Sequence, residues 1–315
     1  MTISAIICAH NPDLQRLERV FRALEAQTLP RTEWECLVVD NASAPGLAGR
    51  VDMAWHPRGR VVREETLGLT HARLRGFEEA QGDILVLVDD DCLLAPEYLA
   101  EVARTLQAHS FLGALGGYGR AEYERPPPAW MNRTFSWFHL DFRVPQSEHP
   151  LIYARTRQMG PWTPVGAGMA IRRDLAVRYA DFIRHDPSAL ALDRSGSQLA
   201  GGGDIDLGIY LTDQGYGIGR SNRLLFTHIV PNFRLELDYM VRLLYMSQYS
   251  VARLLVHRGW KEAAPLAAPS FRQKLVIRLR RMLGYSPEAL CWKAFARGYA
   301  DGLQGAPMDP WFCQR

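Results

Sequence analysis

The sequence predicts an α/β fold: a mostly parallel, Rossmann-like sheet flanked by helices, followed by a helical C-terminal extension. Three observations carry this. The short, wholly apolar runs Ile3 to Cys8, Cys36 to Val39 and Ile84 to Val88 have the length and composition of strands buried on both faces. Segments of helical period lie between them. Polar clusters, Ala9-His10-Asn11, Asp40 to Ser43 and Asp89-Asp90-Asp91, follow the strands directly. They therefore sit at the carboxyl ends, where open α/β sheets bind their ligands.

In chain order, the first apolar run ends at His10-Asn11-Pro12, a turn signal. From Asp13 to Ala26, Leu14, Leu17, Val20, Phe21 and Leu24 fall on one helix face. The second strand ends in Asp40-Asn41-Ala42-Ser43, and Arg60 to Arg63 is a short third. A helix over roughly Thr70 to Ala80, closed by Gly82-Asp83, leads to the strand that runs into the three aspartates. The middle is less regular. Glu122 to Trp137, with Pro126-Pro127-Pro128, reads as a long loop, and Val165 to Ile171 is a run of small residues. After the flexible Gly201-Gly202-Gly203, a helix is expected from Asp204 to Gln214 and a strand from Leu224 to His228. From Arg234 onward the pattern turns helical and basic, with 12 Lys/Arg against 6 Asp/Glu over residues 236–315.

With 315 residues and 47% hydrophobic residues, the chain can bury a sizeable core. Its charged share of 23% argues against global disorder, and its net charge of +3 gives no whole-chain case for nucleic-acid binding. The five cysteines, Cys8, Cys36, Cys92, Cys291 and Cys313, are scattered without a CxxC pair. A reducing compartment fits that usage. The opening MTISAIICAHNP has no basic stretch before its apolar run, and no apolar run reaches membrane-spanning length. The expectation is a cytoplasmic protein, with peripheral contact at the inner face of a membrane as one option. Phe271 to Leu283 carries Lys274, Arg278 and Arg281 among apolar residues, as a helix lying on anionic lipid would; a helix that merely covers the domain would read the same way.

The strongest chemical signal is LVLVDDDCLLAPEYL. Three successive carboxylates at a strand end repel one another unless a cation or hydrogen bonds offset the charge. Oxygen ligands suit Mg²⁺ or Mn²⁺. In an extended segment Asp89 and Asp91 share one side and Asp90 takes the other. An acidic turn capping the next helix is the plainer reading. Similarly, Asp204 and Asp206 at a helix start read as caps as readily as catalytic groups, and His228 as a structural histidine.

Taken in order, ISAIICAHNP, CLVVDNAS, TLGLTHARLRGFEEAQGDILVLVDDD, VGAGMAIRRD, GGDIDLGIYLTDQGYGIG and THIVP resemble the family 2 glycosyltransferases, inverting enzymes of the GT-A fold, from about Ile3 to about Pro231. The resemblance implies a sugar transfer from a nucleotide-sugar donor to a saccharide, lipid-linked or other hydroxyl acceptor, with Mn²⁺ or Mg²⁺ as cofactor. It implies that Ala9, His10, Asn11 and Asp40 hold the nucleoside, that Arg73 lies near the donor phosphates, and that Asp89 and Asp90 face the donor. Asp89 and Asp91 would be the DxD pair, and His228 would complete the metal site. Gly166, Ala167, Gly168 and Gly203 would line the sugar and acceptor pocket, and Asp204 would be the general base. On this reading residues 1–118 bind the donor, 119–233 form the acceptor half of the same domain, and 234–315 are the extension. Two departures stand out: the family's Glu-Asp reads Gly203-Asp204, and its Ala-Arg-Asn reads Ala72-Arg73-Leu74. The missing Glu leaves open a sugar-binding or scaffolding protein without turnover. A sugar-1-phosphate nucleotidyltransferase would want a glycine-rich loop where Cys8 to Pro12 stand.

Overall fold

The computed structural model describes residues 1–131, 144, 146–190, 193–196, 198–259 and 286–313. The expected basic helix from Phe271 to Leu283 lies outside them, as does the loop from residue 132 onward. The chain forms two compact units.

The first unit, Met1–Glu122, Val144–Leu190 and Gly203–Ile229, is built on one sheet. Strands β1 (Ile3–Ala9), β2 (Trp34–Asn41), β3 (Gly59–Glu64) and β4 (Ile84–Asp89) make its parallel part, in the order β3-β2-β1-β4. Register sets the ligand-binding end: Ala9 pairs with Asp40 and Cys8 with Asp89, so the polar clusters after the three strands end side by side. The sheet continues through β8 (Ala170–Arg172), β6 (Leu112–Tyr123), β9 (Gly217–Val230) and β5 (Cys92–Leu94), with β7 (Leu151–Ala154) paired to β9.

Helices cover both faces, as the two-faced apolar strands demand. On one side α1 (Leu14–Glu25) packs Leu17, Val20, Phe21 and Leu24 against Ile3, Ala5 and Ile7 of β1 and against Trp34 and Val38 of β2. On the other, α2 (Leu69–Glu79) and α4 (Arg173–Arg184) bring Leu74, Phe77, Leu175 and Tyr179 onto Ile6, Leu37, Val39 and Leu85. Each such buried Leu, Ile or Phe contributes about 1.5–3 kcal/mol. Helix α3 (Tyr98–Ala108) follows β5, and α5 (Gly203–Asp213) precedes β9.

Several boundaries differ from the sequence reading. Asp13 lies outside α1 and caps it, accepting the N–H groups of Gln15 and Arg16. Strand β6 runs to Tyr123, one residue past the expected loop start, and the small-residue run ends in β8, antiparallel to β4. Strand β9 begins at Gly217 rather than Leu224, because Ile218 to Ser221 are held in the sheet by β7. Helix α5 begins at Gly203, so Asp204 stands inside the first turn rather than at the cap.

The second unit, Tyr123–Arg143, Ala191–Gly202 and Val230–Arg315, contains α6 (Leu237–His257) and α7 (Pro287–Gln304). Glycines let these helices approach closely: a Cβ on Gly298 would stand 2.2 Å from the Tyr245 carbonyl oxygen. The Tyr245 hydroxyl donates to Asp301 Oδ2 at 2.8 Å across the same contact. Among the described residues no helix is long and apolar enough to cross a membrane.

Candidate active site

The acidic cluster turns as it leaves the sheet. Asp89 ends β4, Asp90 and Asp91 form a tight turn, and Cys92 begins β5. The strand alternation that would set Asp89 and Asp91 on one side is therefore interrupted, a correction to the sequence reading. Pairing of β5 with β9 then decides what meets Asp91. Cys92 is the partner of His228, and the Ile229 N–H donates to the Asp91 carbonyl at 2.8 Å. His228 Nε2 consequently lies 3.4 Å from Asp91 Oδ2. The ligand atoms of Asp91, Cys92 and His228 fall within 4.8 Å of one another, a group from which Asp89 is absent. Asp91 is buried, while Asp89 and Asp90 are partly exposed.

Beside this turn, the loops after β1 and β2 lock together. His10 Nδ1 lies 2.7 Å from the Asn41 carbonyl oxygen, which can only accept, so Nδ1 carries the proton. The Asn11 N–H donates to Ser43 Oγ at 2.9 Å, and Asn11 Oδ1 accepts the Ala44 N–H at 2.9 Å. Asn11 (φ 46°) and Ala42 (φ 53°) both take left-handed backbone conformations here, a strain that loops at ligand sites often store. Ala9 is buried at the strand end, and His10 and Asn11 are exposed. Asp40, expected against the nucleoside, is buried. Its carboxylate accepts the N–H groups of Ser43 (3.1 Å) and Leu47 (2.8 Å) and pairs with Arg63 (2.7 Å). Burial alone would raise its pKa, but these bonds outweigh it and hold the carboxyl below the usual range. Asp40 thus fastens the loop that carries Ser43.

The third element is a bridge between α5 and the end of β4. The Gly168 N–H donates to the Leu87 carbonyl at 2.9 Å, and the Leu87 N–H to that of Met169 at 2.8 Å. This pins the Gly166–Gly168 segment beside β4. The Gly166 N–H in turn donates to Asp204 Oδ2 at 3.0 Å, and the Ile205 N–H to Asp204 Oδ1 at 2.9 Å. Arg73 of α2 comes so near that a Cβ on Gly166 would stand 2.4 Å from its Nη2. Arg73, Asp204, Gly203, Thr70, Phe77 and Leu207 border one small cavity. Ala167 is half-buried. Gly168 serves the backbone: its φ of 76° is left-handed, and Tyr98 Oη donates to its carbonyl at 2.7 Å. Asp206 faces the other way, buried, accepting the Tyr179 hydroxyl at 2.9 Å. Burial holds the Arg220 guanidinium of β9 below its ordinary pKa, against the opposing charges of Tyr118 and Asp204.

The family model described as glycosyl transferase family 2 matches residues 4–176, more than half of the chain. Glycosyltransferase AglE from Haloferax volcanii is 23% identical over 229 residues, covering 72% of this chain and 66% of its own. Dolichol-phosphate mannosyltransferase from Saccharomyces cerevisiae is 33% identical over 96 residues, 30% of this chain and 35% of its own. The chain thus spans no more than about two thirds of the length of these relatives. In structure it is similar to the mannosyltransferase PcManGT from Pyrobaculum calidifontis, solved with GDP-Man and Mn²⁺. That likeness has a TM-score of 0.55 at 18% identity and covers 97% of this chain and 88% of the other. It supports a GT-A-like fold.

Proposed function

Because the chain belongs to glycosyl transferase family 2, we propose that it moves a sugar from a nucleoside-diphosphate-sugar donor to an acceptor hydroxyl in one inverting, divalent-cation-dependent displacement. The observation that carries this reading is the pairing of Asp91 with His228 at the same sheet end to which Gly166 tethers Asp204. One element supplies metal ligands and the other a base.

The donor set suits the cation. Carboxylate oxygen and neutral imidazole accept Mn²⁺ or Mg²⁺, whereas a buried thiol favours softer metals. Asp91 and His228 would hold the ion with Asp89 beside them, and Cys92 would not. When bound, the cation offsets the negative charge gathering on the departing diphosphate. His10 and Asn11 face the nucleoside, on a loop held by Asp40, and Asp90 borders the donor. Arg73 is aimed at the diphosphate past Gly166. Asp204 takes the acceptor proton, its carboxylate oriented by the Gly166 and Ile205 N–H groups. Gly166, Ala167 and Gly203 bound the sugar and acceptor space. On this reading residues 1–118 serve the donor, 119–233 the acceptor, and 234–315 form a helical extension that either meets the inner face of a membrane or only covers the domain.

The name of the yeast relative supports a lipid-linked phosphate as one acceptor class. The absence of a carboxylate at Gly203 favours one second reading, a binding protein without turnover. Both are tested by incubating the full chain with Mn²⁺ and a panel of nucleoside-diphosphate sugars. Release of nucleoside diphosphate, with product of inverted anomeric configuration by NMR, is expected. Mn²⁺-dependent stabilisation by a nucleotide without any release, even with acceptor extracts, would favour the binding protein. No stabilisation by any nucleotide would overturn the donor assignment.

A further inference from the structure

The part of β9 away from His228 borders a second cavity. Ser221 of β9 pairs there with Leu151 of β7. His228 lies farther along the same strand, about 23 Å away at the usual rise per residue. Arg104 and Thr105 of α3, His109 just past its end, Leu151, Ser221 and Arg223 line a space of about 160 Å³. That is roughly the room one six-membered ring needs. Thr105 is 4% exposed, and among the described residues its Oγ1 has no hydrogen-bond partner. A hydroxyl buried in that way has lost its hydration without replacement, and a polar ligand in the cavity restores it. Ser221, also buried, brings a second hydroxyl to the same space. The rim is cationic. Arg104 donates to Glu101 Oε2 through Nε (3.0 Å) and Nη2 (2.6 Å), and Arg223 Nη1 stands 3.8 Å from Glu101 Oε1. One carboxylate thus serves two guanidiniums and leaves a positive charge over. The carbonyls ending α3, which would repel an anion, are occupied: Arg172 Nη2 donates to those of Leu106 (2.6 Å) and His109 (3.2 Å). A row of rings leads outward from the cavity. The His109 ring lies 5.7 Å from that of Phe111, and Phe111 4.8 Å from Tyr153, which is 52% exposed. Tyr153 and Leu151 share one side of β7. Room for one ring, hydroxyls inside, charge at the rim and an exposed aromatic row beside it together fit a pyranose bearing an acidic group. Its hydroxyls meet Thr105 and Ser221, its anion meets the arginines, and the apolar face of a neighbouring sugar packs on Tyr153.

We propose that this cavity is a second, non-catalytic saccharide site that takes an acidic sugar unit of a glycan. It stands apart from the roles given to Asp91 and Asp204 and does not depend on them. A sugar carboxylate and a sugar phosphate are two sources of the same charge, and the test separates them.

Glucuronate, glucose 6-phosphate and glucose are titrated into the full chain and read by saturation-transfer NMR, with inorganic sulfate as competitor. One of the two acidic sugars should bind at least about tenfold more tightly than glucose, and the tighter one names the acidic group. Arg223→Gln should weaken that sugar about tenfold, the effect of a lost charge-assisted hydrogen bond. Thr105→Val keeps the volume and removes only the hydroxyl. It should weaken the sugar about two- to tenfold while the melting temperature holds or rises, because the folded chain loses no hydrogen bond. A hydroxyl that served only the fold would do the reverse. Asp91→Ala should bind the sugar as the parent does. Glucose binding as tightly as both acids, or neither acid binding, overturns the site. Sulfate that displaces the sugar at equal concentration reduces the cavity to a bare anion site and overturns its saccharide character. Unchanged affinity in Arg223→Gln and Thr105→Val alike, or lost affinity in Asp91→Ala, moves the sugar to the transfer site and also overturns the proposal. Failure of every nucleotide to bind with Mn²⁺ would sink the transfer reading and leave this comparison intact. If Arg223→Gln melts early, Thr105→Val carries the comparison.

Discussion

The Gly166 N–H bonds to Asp204 Oδ2 at 3.0 Å, while the place a Gly166 side chain would take lies 2.4 Å from Arg73 Nη2. One glycine thus separates a carboxylate from a guanidinium and lets both serve the same cavity. Arg73 is only 9% exposed, so its end has little room to swing aside.

Gly166→Ala should therefore harm function more than folding. The added methyl displaces Arg73 and crowds Asp204, at a cost of about 1–3 kcal/mol for overpacking. Nucleoside-diphosphate affinity and transfer should each fall at least about tenfold. Gly201→Ala is the control, because nothing lies within 4 Å of its Cβ position. Full donor affinity in Gly166→Ala would mean that Arg73 does not act on the diphosphate.

Metal dependence should follow ligand chemistry. Asp91→Ala should abolish the Mn²⁺-enhanced binding of nucleoside diphosphate in calorimetry, and His228→Ala should weaken it less. Asp89→Ala tests the residue that stands outside the Asp91, Cys92 and His228 group. Cys92→Ala should leave Mn²⁺ affinity unchanged, since Mn²⁺ prefers oxygen and nitrogen ligands. A Cys92→Ala variant that loses Mn²⁺ while Asp91→Ala keeps it would reverse this assignment.

Strands β1, β2 and β4 were legible because burial on both faces leaves unbroken apolar runs, and α1 because Leu17, Val20, Phe21 and Leu24 repeat with helical period. The added strands were not. Strand β8 has three residues, Ala170, Ile171 and Arg172, too few to show a period, and the first half of β9, Gly217 to Arg223, reads as a glycine-rich polar stretch. In the site, Asp91 and His228 were named from motif order, yet their contact depends on the β5–β9 register, which no local pattern encodes. Asp40 was named from its place at a strand end, but its bonds to the loop that follows depend on that loop's fold, which no local pattern encodes.

The fold should also carry a histidine-dependent acid sensitivity far from the chemistry. His56 is buried, its ring 4.1 Å from that of Trp34, and its Nδ1 accepts the Arg58 N–H at 3.1 Å. Burial first, then the charges of Arg31 and Arg58, push its pKa down from 6.5 to about 4, against a smaller opposing effect of Glu35. The unfolded chain therefore binds this proton more readily than the folded one. The stability it secures is full above pH 6.5 and is lost as pH falls from 6.5 to about 4, by at most about 3 kcal/mol. His56→Gln should flatten the melting temperature across that window. An equally steep decline in the variant would place the acid sensitivity elsewhere.

The sharpest test sets Asp204 against Asp206, two residues apart on α5 with different surroundings. Asp204 accepts N–H groups from Gly166 and Ile205, while Asp206 is buried against the Tyr179 hydroxyl. The single amide oxygen of Asn can keep one of those two N–H bonds, so Asp204→Asn should lose at most about 1–3 kcal/mol of stability and should still fold and bind donor with Mn²⁺. It cannot take a proton at neutral pH, so transfer should fall by about 10² or more, the usual loss of a general base. Asp206→Asn should behave oppositely: its melting temperature should drop, by the roughly 1–3 kcal/mol of a disturbed buried hydrogen bond, while turnover per folded molecule survives. Steady-state kinetics and thermal melts on both variants give four outcomes to compare. Transfer retained in Asp204→Asn but lost in Asp206→Asn would move the base two residues along the helix, to the residue that now bonds Tyr179. Transfer retained in both would leave the displacement without a base from this helix, and the proton would have to leave by another group.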